Sequence, residues 1–500
     1  MAIRVTPKLF QRFNQITKAL SSSPSSLPVL PLNFDEKPES FVVKPEAETG
    51  TGTFQRSSSS SSILDFEDTQ KLFSTFSNTK LIRSVFNLNM ASIDPVVDMG
   101  IWVMRSRLLE VPGFRQAILG SVKHSFYEQF VAGKDLKETS QTVEKIYGEG
   151  LRGMLNYGLE HAYDNQSCDQ NYNTFLNTIE STKFFPPSSV SFVIVKISAI
   201  CPMSLLERLS DLLRWEKQDP SFKLPWKQNS LPILSDSSPF YHTPEKPDPL
   251  TQQEEQDLQL AHERLTKLCQ RCLELNVPLT VDAEDTKIQP GIDYLTYNSA
   301  IEYNKLGGKT PIVYGTLQAY LKDAKERMLL ATEAAKKMGL PIGFKIVRGA
   351  YMSSESKLAA SLGFESPIHN TIQDTHDCYN ECASYMLDKI VDGSGAVVLA
   401  THNVESGKLA ATKAKCLGIG KENDRLQFAQ LYGMSEALSY GLKNAGFQVS
   451  KYLTFGPVEE VIPYLLRRAE ENRGMLSSSC LDRQLMGMEL KRRLKAGFGM

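Results

Sequence analysis

Two adjacent arginines, Arg467 and Arg468, stand between a tyrosine and an acid in the segment YLLRRAEENRG (464–474). On a helix, Tyr464 would precede the arginines by three and four residues and Glu471 would follow them by the same spacings, so all four share one broad face. Two planar guanidinium groups beside a phenol could bind a small carboxylate, because each guanidinium matches a pair of carboxylate oxygens. The alternative is a solvated helix face with exposed Arg–Glu pairs, which stabilise a protein little. The local sequence leaves both hypotheses open.

A lysine and an aspartate that each end an apolar run are predicted to pair. Lys196 lies inside VIVKISAI, and a lysine among so many apolar residues needs a partner. Side chains alternate along a strand, so Ile194, Lys196 and Ser198 would share one face of a strand at VSFVIVKIS. Asp282 and Glu284 would share one face of the following strand, at VPLTVDAE. We therefore expect an ion pair between Lys196 and Asp282.

Further polar residues end the later apolar runs, namely Gln318, Lys345, Arg348, Tyr351, Thr401, His402, Asn403, Gln430 and Tyr452. Each of them by itself fits a structural role as well as a catalytic one. Asp282, Glu284 and His402 could hold a metal ion, as in barrel hydrolases, but such sites usually contain several histidines. Of the seven histidines only His402 ends a predicted strand, and no metal site is predicted.

Composition and charge argue against several classes of protein. A formal net charge of -1 gives no electrostatic reason to expect binding to nucleic acid. The most apolar stretch, VSFVIVKISAIC (190–201), is too short to span a membrane and contains a lysine. Eight cysteines in 500 residues indicate a reducing compartment, and buried thiols explain them better than a zinc site at Cys269 and Cys272.

The elements that must position these side chains alternate regularly along the chain. Eight short β-branched runs, separated by helix-length segments, occupy residues 149–500 and predict a (βα)8 barrel. The runs are RGMLNYG, VSFVIVKIS, VPLTVDAE, TPIVYGTLQ, PIGFKIVRG, AVVLATHN, LQFAQLYG and VSKYLTFG. A doubly wound open sheet is the alternative, but GEGLRG (148–153) precedes a strand instead of following one and is no nucleotide fingerprint. Functional groups in such barrels lie at the C-terminal ends of the strands, where these candidates are.

The first residues have the composition of an organellar transit peptide. Residues 1–25 combine Arg4, Lys8, Arg12 and Lys18 with apolar and hydroxyl residues, and no acid occurs before Asp35. Residues 26–65 are rich in Pro and Ser and are predicted to form a disordered linker, because they cannot bury enough apolar surface to fold. The helical pattern over residues 66–148 predicts an N-terminal helical region before the barrel of residues 149–500.

Seven segments occur in an order that resembles the proline dehydrogenase family, in its plant mitochondrial form. They are VKISAICP, DAEDT, TLQAYLKD, FKIVRGAYM, ATHN, FAQLYGM and YLLRRAEENRG. The resemblance extends from about residue 66 to the C-terminus. It implies a distorted (βα)8 barrel with FAD at the C-terminal ends of the strands and a last helix over the mouth. It also implies hydride transfer from L-proline to flavin N5, formation of Δ1-pyrroline-5-carboxylate, and electron transfer to a membrane quinone, as the first step of proline catabolism.

The resemblance implies a role for each candidate residue. Arg467 and Arg468 would bind the proline carboxylate, and Glu471 and Tyr464 would hold them in place. The catalytic residues would be Asp282, Lys345 and Lys196. The remaining substrate contacts would be Lys196, Tyr351, Leu431, Tyr452 and Tyr464. The cofactor contacts would be Asp282, Ala283, Gln318, Lys345, Arg348, Gly349, Ala350, Thr401 and His402.

One departure from the family pattern concerns two cations. Bacterial members read R-L-V-K-G-A-Y where this chain reads KIVRGAY (345–351), so Lys345 occupies the position whose arginine contacts flavin N5 in those enzymes. A lysine can favour an electron-rich flavin by its charge, but it cannot make the same planar contact. No residue is identified as a general base.

The resemblance also implies a location on the matrix side of the mitochondrial inner membrane. Association would be peripheral, because no spanning segment is predicted. Three hypotheses compete with this one. They are a metal-dependent barrel hydrolase, an inactive barrel that binds proline as a sensor or scaffold, and a dehydrogenase whose true substrate is hydroxyproline.

Overall fold

The computed structural model describes residues 63–106, 111–159, 161–308, 310–474 and 476–497. The predicted transit peptide (1–25) and residues 26–62 of the predicted linker lie outside the described residues. Leu64 is buried and packs into the same apolar cluster as Leu72 and Phe73. The predicted boundary between the linker (26–65) and the helical region (66–148) stays a prediction.

Eight parallel strands close into a barrel in chain order, and the last strand pairs with the first. The strands are β1 Arg152–Tyr157, β2 Val190–Val195, β3 Leu279–Val281, β4 Val313–Gln318, β5 Ile342–Val347, β6 Gly395–Ala400, β7 Leu426–Leu431 and β8 Val449–Phe455. Each predicted run forms one strand, which confirms the (βα)8 barrel and excludes the open sheet. The alternation produces this topology because a parallel pair of strands needs a crossover connection between them.

Helices precede the barrel, connect its strands and follow the last strand. Those before β1 are α1 Thr69–Leu72, α2 Asn78–Ala91, α3 Asp94–Arg105, α4 Pro112–Val122, α5 Glu128–Phe130 and α6 Leu136–Gly148, with a π-helical turn at Lys123–Tyr127. The helices that connect consecutive strands are α7 Asn165–Ser181, α8 Met203–Gln218, α9 Gln252–Leu275, α10 Gln289–Leu306, α11 Ala324–Lys337, α12 Met352–Ser361, α13 Ile372–Val391, α14 Val404–Cys416 and α15 Glu436–Asn444. Two 3-10 turns lie at Thr182–Phe184 and Ile197–Ala199. The last two helices are α16 Val458–Gly474 and α17 Leu476–Gly497.

The strands are buried on both faces. All six residues of β2 are buried, which explains why its sequence is a continuous apolar run. One apolar cluster fills the inside of the barrel, with Met154, Phe192, Ile194, Tyr314, Ala396, Val398 and Ala429. A larger cluster lies between the strands and the surrounding helices. With the barrel interior filled by apolar side chains, the charged groups described below gather where the strands end.

Helix α16 is held beside the mouth of the barrel by apolar packing. It rests on a cluster made of Tyr127, Phe130, Val131, Met434, Val461, Tyr464 and Leu465, with Leu431 at the end of β7 packed against it. The chain enters α16 through Gly456, whose φ of 144° favours glycine. The family resemblance predicts that the helix with the paired arginines is the last one. The structure corrects this point, because α17 follows α16.

The structure bears on the predictions made for the cysteines, for a metal site and for a membrane-spanning segment. Six of the eight cysteines are buried and all eight are free thiols, which confirms the expectation of buried thiols. Among the described residues, no group of three or more His, Cys, Asp or Glu side chains could hold a metal ion. None of the helices that the structure describes is long and apolar enough to cross a membrane.

Candidate active site

A buried aspartate lies between two lysines and a tyrosine at the C-terminal ends of the strands. Asp282 directly follows β3, and Lys345 of β5 donates to its Oδ1. Lys196, which follows β2, has its Nζ 3.6 Å from Asp282 Oδ2. The hydroxyl of Tyr452 in β8 donates to the same oxygen at 2.7 Å. The predicted Lys196–Asp282 pair is confirmed, but Lys345 makes the closer contact.

Burial and charge set the protonation of this cluster. Burial raises the pKa of Asp282, but the charges of Lys345 and Lys196 lower it by more, so the carboxyl has a pKa below its ordinary value. Burial lowers the pKa of Lys345, and Asp282 opposes that effect only in part. With all three groups charged, two cations surround one anion. The surplus positive charge can favour a negative group bound beside it, because charges act strongly in a water-poor site.

The carboxylate of Glu284 accepts hydrogen bonds from Ser198, which follows β2. The Oγ of Ser198 donates to Glu284 Oε2 at 2.8 Å, and the Glu284 N–H donates to Gln289 Oε1 at 2.8 Å. Strand β2 ends at Val195, so the alternation that predicted Ser198 beside Lys196 stops before Ser198. The metal-site hypothesis is therefore unsupported, because Asp282, Glu284 and His402 do not converge.

Gln318 is the last residue of β4. The nitrogen of its side-chain amide is hydrogen-bonded, and the oxygen has no hydrogen-bond partner among the described residues. Its Nε2 donates to the carbonyl of Glu284 at 2.9 Å and to the hydroxyl of Tyr320 at 3.1 Å. Its Oε1 is buried and has no hydrogen-bond partner among the described residues. A buried acceptor without a partner is costly, so this oxygen is suited to accept from an N–H group of a ligand.

Arg348 forms a second cationic centre beyond the end of β5. Its guanidinium donates to Thr401 Oγ1 after β6 and to His376 Nδ1, the latter at 3.0 Å. The guanidinium also lies 3.9 Å from the ring centroid of Tyr379. Burial lowers the pKa of Arg348. His376 and Tyr379 were not predicted, since both lie inside the long helix α13 and carry no strand-end signal.

His402, which follows Thr401, accepts a hydrogen bond at Nε2 from the N–H of Leu431, at 3.1 Å. An accepting Nε2 carries no proton, so the ring is neutral with its hydrogen on Nδ1. Burial lowers the pKa of His402 to about 3, and the positive charges of Lys451, Arg468 and Arg348 act in the same direction. The ring is thus a fixed donor at Nδ1 and connects the ends of β6 and β7.

We expect His402 to stay neutral between pH 5 and pH 8 in the folded protein. Its folded pKa lies below the ordinary value of about 6.5, so its contribution to stability is complete above that pH and is lost as the pH falls toward 3. Ring proton NMR on histidine-labelled protein, with His402→Gln for assignment, measures the titration. The urea-unfolded chain is the control. A folded-state midpoint near 6.5 would contradict the assigned tautomer.

The paired arginines occupy the face of α16 that includes Tyr464. Arg468 is buried, with 7% of its surface exposed, and its guanidinium lies 4.9 Å from the ring centroid of Tyr464. Arg467 is half-buried. The solvated-face hypothesis is therefore wrong for Arg468. The side chain of Glu471 lies outside the described residues, so its predicted supporting role stays a prediction.

The remaining predicted contacts surround the same strand ends. Tyr351 is half-buried immediately before α12, Ala350 is exposed, and Ala283 is half-buried between two acids. Gly349 is needed for close packing, because a Cβ there would lie 3.0 Å from the Tyr320 ring and 2.5 Å from Met352. The backbone can thus pass close to its neighbours between Arg348 and Tyr351.

Three residues that sequence reasoning missed hold the loop after β3. Buried Glu355 of α12 accepts from the N–H of Thr286 at 2.6 Å and from its Oγ1. The carbonyl of Thr286 accepts from Arg214, which is fully buried in α8. Burial raises the pKa of Glu355, although the bonds from Thr286 oppose it. The loop that carries Asp282 is thereby tied to the helix that begins after Tyr351.

Comparisons with known proteins agree on one family. Residues 139–480 match the family model described as proline dehydrogenase. Proline dehydrogenase 2, mitochondrial, from Arabidopsis thaliana is 56% identical over 435 residues, which cover 87% of this chain and 91% of the relative. Proline dehydrogenase 1, mitochondrial, from the same plant is 56% identical over 436 residues, 87% of either chain.

A solved structure supports the fold. Proline utilization A (PutA) from Bdellovibrio bacteriovorus, inactivated by N-propargylglycine, superposes with a TM-score of 0.56 at 19% identity. The match covers 95% of this chain and 43% of that chain. The present chain thus corresponds to less than half of PutA, and the likeness concerns the barrel architecture alone.

Proposed function

This chain belongs to the proline dehydrogenase family, and we propose that FAD is its cofactor and a membrane quinone its electron acceptor. Proline dehydrogenase activity, the first step of proline catabolism, follows from that membership. Bound FAD would supply N5 as the acceptor for the hydride from C5 of L-proline, and with loss of a proton from the proline nitrogen the product would be Δ1-pyrroline-5-carboxylate. The protein itself would hold the substrate and the cofactor in position and would supply the charged groups around them.

The groups at the strand ends fit a flavin cofactor. Gln318 Oε1 is a buried acceptor that needs an N–H donor, and flavin carries such a donor on its ring. Arg348 offers a cation suited to a phosphate or to an electron-rich ring. We assign the cofactor contacts to Asp282, Ala283, Gln318, Lys345, Arg348, Gly349, Ala350, Thr401 and His402. Lys345 would act through its charge, because its ammonium is already bonded to Asp282.

Burial of Arg468 on α16, beside the mouth of the barrel, is the observation that carries the substrate assignment. A guanidinium kept out of water favours a carboxylate that can bond to it in pairs. We propose that Arg467 and Arg468 bind the proline carboxylate and that Glu471 supports them. Holding the carboxylate at one end would fix the position of C5 at the other, which is the orientation part of catalysis.

Aromatic and apolar side chains around the mouth of the barrel would enclose the proline ring. Tyr464 and Leu431 belong to one apolar cluster, and Tyr452 of β8 contacts Asp282 at the end of β3. Together with Tyr351 they would exclude water from the ring. Lys196 would complete the substrate contacts, since its pairing with Asp282 keeps its charge at the mouth.

We expect anaerobic addition of L-proline to bleach the flavin absorbance of the purified protein. The reason is that two electrons leave proline and reduce the cofactor when no acceptor is present. Absorbance spectra before and after addition measure the change, and hydroxyproline in place of proline is the matched comparison. A colourless protein, or a spectrum unchanged by proline, would contradict the proposal.

The same experiment separates the competing hypotheses. A metal-dependent hydrolase would lose its activity in the presence of a chelator and carry no flavin spectrum. A sensor or scaffold would bind proline without bleaching. Faster reduction by hydroxyproline than by L-proline would assign the chain to the hydroxyproline-specific branch of this chemistry.

Relatives named mitochondrial support a mitochondrial location, and we propose the matrix side of the inner membrane with peripheral association. Residues 1–25 would act as the transit peptide and residues 26–65 as a linker. The helical region would extend to residue 148 and the FAD-binding barrel from residue 149 to the end.

Deletion of residues 1–60 is expected to leave a folded, flavin-loaded protein that stays in the cytosol. The deleted residues would carry the import signal but none of the barrel. Flavin content per chain and the location of a fluorescent fusion measure the two halves of this prediction. Unchanged mitochondrial import, or loss of FAD from the truncated protein, would contradict it.

A further inference from the structure

Large apolar side chains are exposed together on the helices that precede the barrel. Between 45% and 63% of each of these side chains is exposed. We call them the apolar surface, which consists of Ile82, Phe86, Ile93, Met99, Trp102, Val111 and Phe114. They come from α2, α3, α4 and the adjoining turns. Helix α2 packs against α3, and Arg83 of α2 pairs with Glu128, which follows the π-helical turn after α4, so these elements are neighbours in space. Exposed apolar residues gathered in this way mark an interaction site more often than chance exposure.

Helix α4 (Pro112–Val122) is apolar, and the described part of the chain buries little of it. Its sequence, PGFRQAILGSV, is mostly apolar, yet none of its described side chains is buried. A Cβ placed on Gly113 or Gly120 would meet no atom within 4 Å. A helix of eleven residues is marginal in water unless it packs an apolar face against something.

The charges around α4 indicate the kind of partner. Residues 111–127 contain no Asp or Glu, and they include Arg115 and Lys123, which are both exposed. The described acids nearby are Asp94 and Asp98, on the first turns of the helix α3 that also carries Met99 and Trp102, and Glu128, which pairs with Arg83. Apolar residues with cations and without acids are typical of helices that lie in the interface of an anionic membrane.

The apolar surface is continuous with the candidate active site. Helix α4 runs into the turn that carries Phe126 and Tyr127, and these pack in the same cluster as Tyr464 and Leu431. The hydroxyl of Tyr127 donates to the carbonyl of Gly456, just before α16, at 2.7 Å. Helix α3 also packs against α16. A partner bound to the apolar surface would therefore lie beside the mouth of the barrel.

We propose that the apolar surface docks on an anionic lipid bilayer and holds the mouth of the barrel against it. The inference rests on the proposed function, since a quinone dissolved in the bilayer must reach the reduced cofactor. Trp102 suits a boundary of lipid and water, because its ring is apolar and its N–H is polar.

Vesicle binding of the flavin-loaded protein tests the proposal. Vesicles of phosphatidylcholine mixed with phosphatidylglycerol are compared with vesicles of phosphatidylcholine alone. The test variant is Trp102→Glu combined with Phe114→Glu. The matched control is Phe184→Glu, since Phe184 is also exposed but lies before β2, at the other end of the barrel. The wild type and the control should bind the anionic vesicles, and the test variant should bind about tenfold less or weaker still.

Activity with two acceptors separates this proposal from the proposed function. The test variant should reduce a water-soluble dye at the wild-type rate but should lose activity toward quinone held in vesicles. If the wild type binds vesicles but reduces no quinone, the acceptor assignment fails while lipid docking stands. Two results would overturn lipid docking. They are equal vesicle binding by the test variant and a change from dimer to monomer in that variant.

Discussion

Replacing Arg468 with methionine is expected to lower kcat/KM for L-proline by about 2–5 kcal/mol, roughly thirtyfold to a few thousandfold. Arg468 is buried on α16 next to Tyr464, so a carboxylate bound there would be largely desolvated. Removing the guanidinium would leave that carboxylate without its charge partner in a place where water cannot replace it. The same change at Arg467, which is half-buried, should act in the same direction with a smaller effect.

Steady-state kinetics with proline measure the loss, and the flavin content and thermal unfolding of each variant show whether the fold survives. Arg492→Met is the matched control, because Arg492 belongs to the neighbouring helix α17 and pairs there with Glu489. Pyrrolidine, which lacks the carboxylate, should be a poor substrate of the wild type and should lose little more in the variants. Unaltered kcat/KM in Arg468→Met would show that this arginine serves packing alone.

Replacing Asp282 with asparagine is expected to reduce the free energy of unfolding by about 3–5 kcal/mol, the range for breaking a buried ion pair from one side. Two buried lysines, Lys345 and Lys196, would then face each other without the anion between them. The pKa of Asp282 is lowered in the folded state. Its contribution is therefore present above the ordinary pKa of about 3.9 and is lost as the pH falls through the folded value.

Urea unfolding of single and double variants measures the coupling within this cluster. Lys196→Met should be the mildest single change, because it leaves one cation paired with one anion. Asp282→Asn combined with Lys345→Met should cost less than the sum of the two single changes, since neither charge is then left alone. Strictly additive losses would contradict the contact between Lys345 and Asp282.

The sequence by itself determined the architecture and the end of the barrel that carries chemistry. Eight apolar runs with crossover helices between them predict parallel strands, and in a barrel of parallel strands the polar residues that end each run meet at one rim. The contact between Lys196 and Asp282 could be predicted from the sequence for the same reason, because β2 and β3 are consecutive strands and lie side by side.

Only the tertiary structure decided which groups touch across the barrel. Lys345 is 63 residues from Asp282 and Tyr452 is 170 residues from it, on strands that do not neighbour β3. Strand periodicity reports which face of one element a side chain occupies. It carries no information on how far a closed barrel curves one strand end toward another.

The burial of Arg468 and the contacts of Arg348 depended on helix docking for the same reason. The sequence of a helical face with two arginines, a tyrosine and an acid does not show whether water or protein covers that face. The apolar cluster beneath α16 selected the buried state, because Tyr464 and Leu465 pack there with Tyr127 and Phe130. His376 and Tyr379 reach Arg348 only because α13 packs against the barrel beside β5 and β6. Sequence pattern thus specified the elements and their faces, while packing between distant elements specified the partners.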